Sequence, residues 1–136
     1  MADLGTLGGA SSAATAVNDK GQVVGWAQTK AGVEHAFLWQ SGRMQDLGLL
    51  PGTAGSVAIA INGRGQVVGI SGDGVQVTTS RRAFVWEAGA MTDLGGLHTW
   101  KSQPEAFVAD INDGGQIVGS NVATMDEGNA LLWTRR

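Results

Sequence analysis

The sequence predicts an all-β protein made of three copies of one unit. Three observations carry this. The run Gly21-Gln22-Val23-Val24-Gly25 returns at 65–69, and again at 115–119 as Gly-Gln-Ile-Val-Gly, each time with an asparagine (Asn18, Asn62, Asn112) three residues before its first glycine. A tryptophan follows each first glycine by about twenty residues: Trp39, Trp86 and Trp133. No stretch shows a sustained helical period with caps. Self-similarity at a fixed spacing is the mark of a repeat architecture. The repeats divide the chain, a single repeat domain over 1–136, at 3–45, 46–92 and 93–136.

In the first copy, residues 14–17 read as a short strand. Asn18-Asp19-Lys20-Gly21 is a tight turn: asparagine and aspartate can bond their own backbone, and glycine can take positive φ. Residues 22–27 return as the second strand of a hairpin. A polar loop leads to a third strand at 35–39, Gln40-Ser41-Gly42 turns the chain, and 43–47 is a fourth. The second copy repeats this with strands at 57–61, 66–71, 83–86 and 90–94. The third gives strands at 106–111, 116–121 and 130–133. Several strands, such as Ala36-Phe37-Leu38-Trp39, are apolar at consecutive positions. A strand apolar on both faces is one covered on both faces, as in sheets stacked around an axis.

Residues 1–5, Met-Ala-Asp-Leu-Gly, align with 44–48 and 91–95, which belong to fourth strands, whereas 93–136 carries no fourth strand of its own. Residues 1–5 are therefore expected to supply the fourth strand of a C-terminal blade, with Met1, Asp3 and Leu4 meeting Leu131 and Trp133. The predicted fold is a β-propeller of four-stranded antiparallel blades, three per chain. Propellers have four to eight blades or thereabouts, so the ring is expected to close by oligomerisation, as a homodimer of six blades or a homotrimer of nine. Closure would leave no open sheet edge. The alternative is a monomeric β-trefoil, which also uses three four-strand repeats.

Together, Asp3-Leu4-Gly5-Thr6-Leu7-Gly8-Gly9, the Asn-Asp-x-Gly-Gln-Val-Val-Gly run at 18–25 and His35-Ala36-Phe37-Leu38-Trp39 resemble the HAF repeat, a bacterial family of extracellular repeats named for its His-Ala-Phe triplet. The resemblance spans all three copies. The triplet is intact only at 35–37 and becomes Arg82-Ala83-Phe84 and Asn129-Ala130-Leu131, so a function resting on the histidine would be lost in two copies. The resemblance implies a propeller-like protein outside the cytoplasm, extracellular or periplasmic, and no defined activity.

Composition narrows the function classes. The net charge is −3 with both signs scattered, so no basic stripe exists to follow a phosphate backbone and no nucleic-acid partner is expected. No apolar run reaches membrane-spanning length, the first residues lack a signal-peptide pattern, and no membrane partner is expected. There is no cysteine, hence no disulfide and no thiolate metal site. His35 and His98 lack a second histidine nearby, and no metal site follows. The Asn-Asp-x-Gly turns offer too few side-chain oxygens for calcium. Ser11, Ser12 and Ser80 lack a nucleophile-elbow context. No cofactor is expected.

Length variation points to a binding rim. The Asn-x-x-Gly turns keep one length, whereas the loop at 72–82 is longer in copy two and that at 97–105 is longer in copy three. In a four-strand meander both longer connections lie on one rim, and loops varying on a rigid scaffold are the usual place for binding. The candidate ligand residues are Asp73, Arg81 and Arg82 from the first loop, and His98, Trp100, Lys101, Gln103 and Glu105 from the second. Trp100 has no counterpart in the other copies and could stack on a sugar or anchor a protein; the alternative is that it packs against the core or a subunit contact. Trp39, Trp86 and Trp133 recur and are expected to pack. The expected function is a non-catalytic scaffold or binding module that assembles into a ring, with a glycan or protein ligand. The alternatives are a lectin-like carbohydrate-binding module and a glycosidase- or lyase-like enzyme using rim carboxylates such as Glu105, Asp126 and Glu127.

Overall fold

The structure, a computed structural model, describes residues 1–73, 79–94, 105–124 and 127–134. Among them there is no helix, and eleven strands form three antiparallel sheets. The first sheet holds β1 (Gly8–Val17), β2 (Val23–Thr29), β3 (Glu34–Gln40) and β4 (Arg43–Gly48). The second holds β5 (Gly55–Ile61), β6 (Val67–Asp73), β7 (Thr79–Glu87) and β8 (Ala90–Asp93). The third holds β9 (Glu105–Ile111), β10 (Ile117–Thr124) and β11 (Glu127–Trp133). Each sheet is a meander whose strands pair in chain order, as the repeat predicts.

The recurring run is explained by its two glycines. In each hairpin the first glycine donates its N–H to the asparagine carbonyl, at 3.1, 3.2 and 3.0 Å for Gly21, Gly65 and Gly115. These glycines take φ of 75°, 79° and 84°, the left-handed region where a side chain is strained. The asparagine Oδ1 accepts the glutamine backbone N–H in all three turns, at 3.0 Å for Gln22 and 2.9 Å for Gln66 and Gln116. The second glycine answers a bulge. The ladder slips between Ala14 and Ala16 opposite Gly25, and between Ala58 and Ala60 opposite Gly69. This brings a carbonyl so close that a Cβ on Gly25 would lie 2.0 Å from the oxygen of Ala13, and one on Gly69 would lie 2.2 Å from that of Val57.

The second sheet lies between the other two. Val24, Ala36 and Leu38 of the first sheet pack against Ala58, Ile61, Val67, Phe84 and Trp86 of the second, with Leu47 and Leu50 in the same cluster. On the other face Ala60, Val68, Ala83 and Val85 pack against Val108, Ile111 and Ile117 of the third, where Trp133 joins them. Trp86 is buried, while Trp39 and Trp133 are half-buried. The connection out of the first sheet turns at Leu50-Pro51-Gly52-Thr53, where the Thr53 N–H donates to the Leu50 carbonyl at 3.2 Å and Gly52 has φ 81°, the proline–glycine order of a type II turn.

One expectation is corrected. β1 starts at Gly8, six residues before the predicted start, because its polar half still pairs with β2 through Gly8↔Thr29 and Ser12↔Ala27. Residues 1–5 form no strand within this chain, and among the described residues the three sheets do not close into a ring. A strand needs a partner ladder, and among the described residues the first bridge along the chain is a parallel one from Leu7 to Thr29, beyond this segment. The third sheet, with which they were expected to pair, stands on the far side of the second.

Candidate interaction faces

The predicted rim falls largely outside the described residues: His98, Trp100, Lys101 and Gln103 lie there, as does Asp126. Asp73, Arg81, Glu105 and Glu127 are placed only as strand positions, at the end of β6, within β7 and at the starts of β9 and β11. Arg82 is described fully. Its Nε donates to Asp93 Oδ2 at 3.0 Å and its Nη1 to the Pro51 carbonyl at 2.9 Å, with a further ion pair from Nη2 to the same carboxylate. The side chain thus joins β7 to the end of β8 and to the turn before β5. His35, at the same point of the first repeat, makes the equivalent pair, with Nδ1 at 3.0 Å from Asp46 Oδ2. The first residue of the His-Ala-Phe triplet therefore works as the partner of the Asp-Leu-Gly aspartate.

Among the described residues no group of three or more histidine, aspartate or glutamate side chains is arranged to hold a metal ion, and no helix is long and apolar enough to cross a membrane. On the rim of the invariant turns, a cleft of about 310 Å³ opens between the first two sheets, lined by Gln22, Leu38, Gln40, Gln45, Arg64, Gly65, Trp86, Glu87 and Ala88. Gln22 Nε2 donates to Gln40 Oε1 at 3.2 Å in its wall.

The outer faces of the first and third sheets carry the strongest signal. Large hydrophobic side chains are exposed at Val17 (65 %), Val118 (45 %) and Leu132 (60 %). Their counterparts in the other repeats are buried. Ile61 and Ile111, at the position of Val17, are 8 % and 6 % exposed. Val24 and Val68, at the position of Val118, are both 0 % exposed, and Leu38 and Val85, at the position of Leu132, are 6 % and 1 % exposed. Val118 and Leu132 also line a hollow of about 150 Å³ with Asp110, Ile111, Asn112 and Gln116. Scattered exposed hydrophobics are ordinary. Apart from Met1 at the N-terminus, the exposed large hydrophobics among the described residues all lie on the two outward faces, at positions buried wherever a neighbouring sheet is present, and so are not scattered.

Of the residues expected to close a ring, Met1 and Asp3 are exposed, and Leu4 and Leu131 are half-buried. Trp133 already packs against the second sheet, and Leu131 shares its side of β11, since alternate residues of a strand face the same way. The open face of that strand belongs to Ala130 and Leu132, which the sequence reading missed. The signal was available in the period of two, which puts Leu132 on the face opposite Trp133. Residues 3–5 do hold the local shape of a fourth-strand end: the Gly5 N–H donates to Asp3 Oδ1 at 2.9 Å, as the Gly48 N–H does to Asp46 Oδ1 at 2.8 Å, and Gly5 and Gly48 have φ of 90° and 86°.

No family model, curated protein or solved structure matches this chain.

Proposed function

We propose that the protein is a non-catalytic scaffold or binding module, a HAF-like β-propeller whose three sheets are blades and whose ring is completed by further copies of the chain. One observation carries the assembly: positions buried at both internal sheet-to-sheet contacts are exposed at the first and third sheets' outer faces. Burying apolar surface contributes roughly 25 cal/mol per Å², so those faces favour a sheet-shaped partner. The radial arrangement is supported by the first strands, because β5 packs against β1 on one side and β9 on the other. Pairing inside single repeats also favours blades over a trefoil, in which repeats share a barrel.

Binding is assigned to the rim of variable loops, with a glycan or protein as ligand, and the resemblance to the HAF repeat puts the protein outside the cytoplasm. Small-angle scattering tests the ring. A compact particle of two or three chains has a radius of gyration of about 18–22 Å, against about 14 Å for one chain. A value of about 14 Å at all concentrations rejects the ring.

A further inference from the structure

The ring reading leaves open how two copies meet, and three sets of contacts inside the chain define the junction. The first is a ladder of asparagines. Asn18 Nδ2 donates to the Asn62 carbonyl at 3.0 Å, and Asn62 Nδ2 donates to the Asn112 carbonyl at 2.9 Å. Each bond crosses from one sheet to the next. Among the described residues, Asn112 Nδ2 has only Gln116 Oε1, at 2.9 Å, and the Asn18 carbonyl accepts only from Gly21 N–H. The ladder thus ends in an open donor on the third sheet and an open acceptor on the first.

The second set is built on serine. Ser56 Oγ accepts from the Ala36 N–H of the sheet before it, at 2.8 Å, and donates to the Gly48 carbonyl at 2.6 Å. Ser12 repeats half of this arrangement, donating to the Gly5 carbonyl at 2.6 Å. Its missing donor corresponds to the N–H of Ala130, which stands in the third repeat where Ala36 stands in the first. The third set is apolar. The outer face with Val118 and Leu132 repeats the face of the second sheet that receives Ile111 and Ile117. Val17 and Val23, on the first sheet's outer face, repeat Ile111 and Ile117.

Resting on the ring reading, we infer that copies join head to tail through one heterologous junction, the third sheet of one chain against the first sheet of the next. In it, Asn112 Nδ2 donates to the Asn18 carbonyl of the second copy and the Ala130 N–H donates to that copy's Ser12 Oγ. Val118 and Leu132 pack on that copy's Val17 and Val23. The Ser12–Gly5 bond carries residues 3–5 along, beside the free edge of β11, in the place that β4 and β8 take beside β3 and β7. Each copy presents two different faces, so the contact can repeat until the ring shuts.

The junction departs from the contact between the second and third sheets at two points. Gly63 N–H donates to Asp113 Oδ1 at 2.8 Å, and a Cβ at position 63 would stand 3.1 Å from that oxygen; Asp113 occupies the place of Gly63 at the junction, so this bond is not carried across. Asp110 stands where the other repeats have Ala16 and Ala60, and the junction covers its carboxylate without a matching cation, which costs affinity.

Complementary variants test the junction. Val17→Asp blocks the first sheet's outer face, and Leu132→Asp blocks the third sheet's. Both side chains are exposed in the single chain, so circular dichroism is expected to show both variants folded. By sedimentation velocity each variant alone is expected to be monomeric, while an equal mixture forms a one-to-one heterodimer through the one junction left intact. Asp110→Ala is expected to tighten assembly of the otherwise unchanged chain by roughly tenfold, and it gives a gain that misfolding cannot mimic. A parent chain that is monomeric throughout overturns the ring reading itself. A parent that assembles, with either single variant still assembling alone, a mixture that stays monomeric or no tightening by Asp110→Ala, overturns the head-to-tail junction and leaves the ring standing.

Discussion

Asn62 holds two sheets together: its Nδ2 donates to the Asn112 carbonyl 2.9 Å away and to its own turn's Gln66 Oε1, while its Oδ1 accepts from the backbone N–H groups of Arg64 and Gln66. The side chain is only 3 % exposed, so its bonds are made out of water. The asparagine that the sequence offers as a turn former is also the tie between repeats.

That double use sets the first prediction. Asn62→Ala removes the tie and leaves buried donors and acceptors without partners, which is expected to cost about 2–4 kcal/mol of stability. Asn112→Ala, in an exposed turn, is expected to cost about 1 kcal/mol. Urea unfolding of both variants checks the order; equal losses would contradict it.

Gly69 offers a steric prediction. A Cβ there meets the Val57 carbonyl oxygen at 2.2 Å and the Phe84 ring at 2.6 Å. Gly69→Ala is therefore expected to cost about 3 kcal/mol or more, because neither the strand backbone nor a buried ring can withdraw cheaply. Gly114→Ala is the control. Its Cβ meets only Asn112 Oδ1, at 3.4 Å, and the expected change is within about 0.5 kcal/mol. Thermal melts of the two variants decide.

Much of this architecture is legible in the residues. The Asn-x-x-Gly turns, the meander and the repeat boundaries follow from side-chain chemistry that acts locally. The second glycine of each run is legible only as a conserved spacing within the chain, since the bulge that demands it involves a strand eight or more residues away. The early part of β1 is not legible because glycines, Ser11 and Ser12 make its first half polar and small, and pairing with β2 rather than burial holds it. On β11 Trp133 is the larger side chain, yet the period of two puts Leu132 on the uncovered side. The variable-loop rim remains a reading of loop length, as most of its residues lie outside the described ones.

Glu34 supplies a pH dependence. Burial raises its carboxyl above the ordinary carboxylate range. A carboxyl whose folded pKa exceeds its unfolded one favours the folded state when protonated, and that contribution is lost as pH rises from the ordinary value through the raised one. Glu34→Gln is expected to remove this loss, giving a modest gain in melting temperature at neutral pH and little change at acid pH. A variant that is less stable at pH 7 would show that the carboxylate is held by contacts that outweigh its burial.

Arg82 links β7, β8 and the Pro51 turn through partly exposed groups. Arg82→Ala is expected to cost about 1 kcal/mol, and the loss should shrink at high salt, since exposed ion pairs are weak and screened. Melts at low and high ionic strength separate the ionic part from the hydrogen bond to the Pro51 carbonyl.

Native mass spectrometry of the unmodified chain tests self-assembly most directly, because it counts chains and separates a closed ring from an open series. One dominant species of two or three chains, without a ladder of longer ones, is the expected result. A spectrum of single chains at every concentration would contradict the ring, and a continuous series of increasing length would show that the two faces meet without closing.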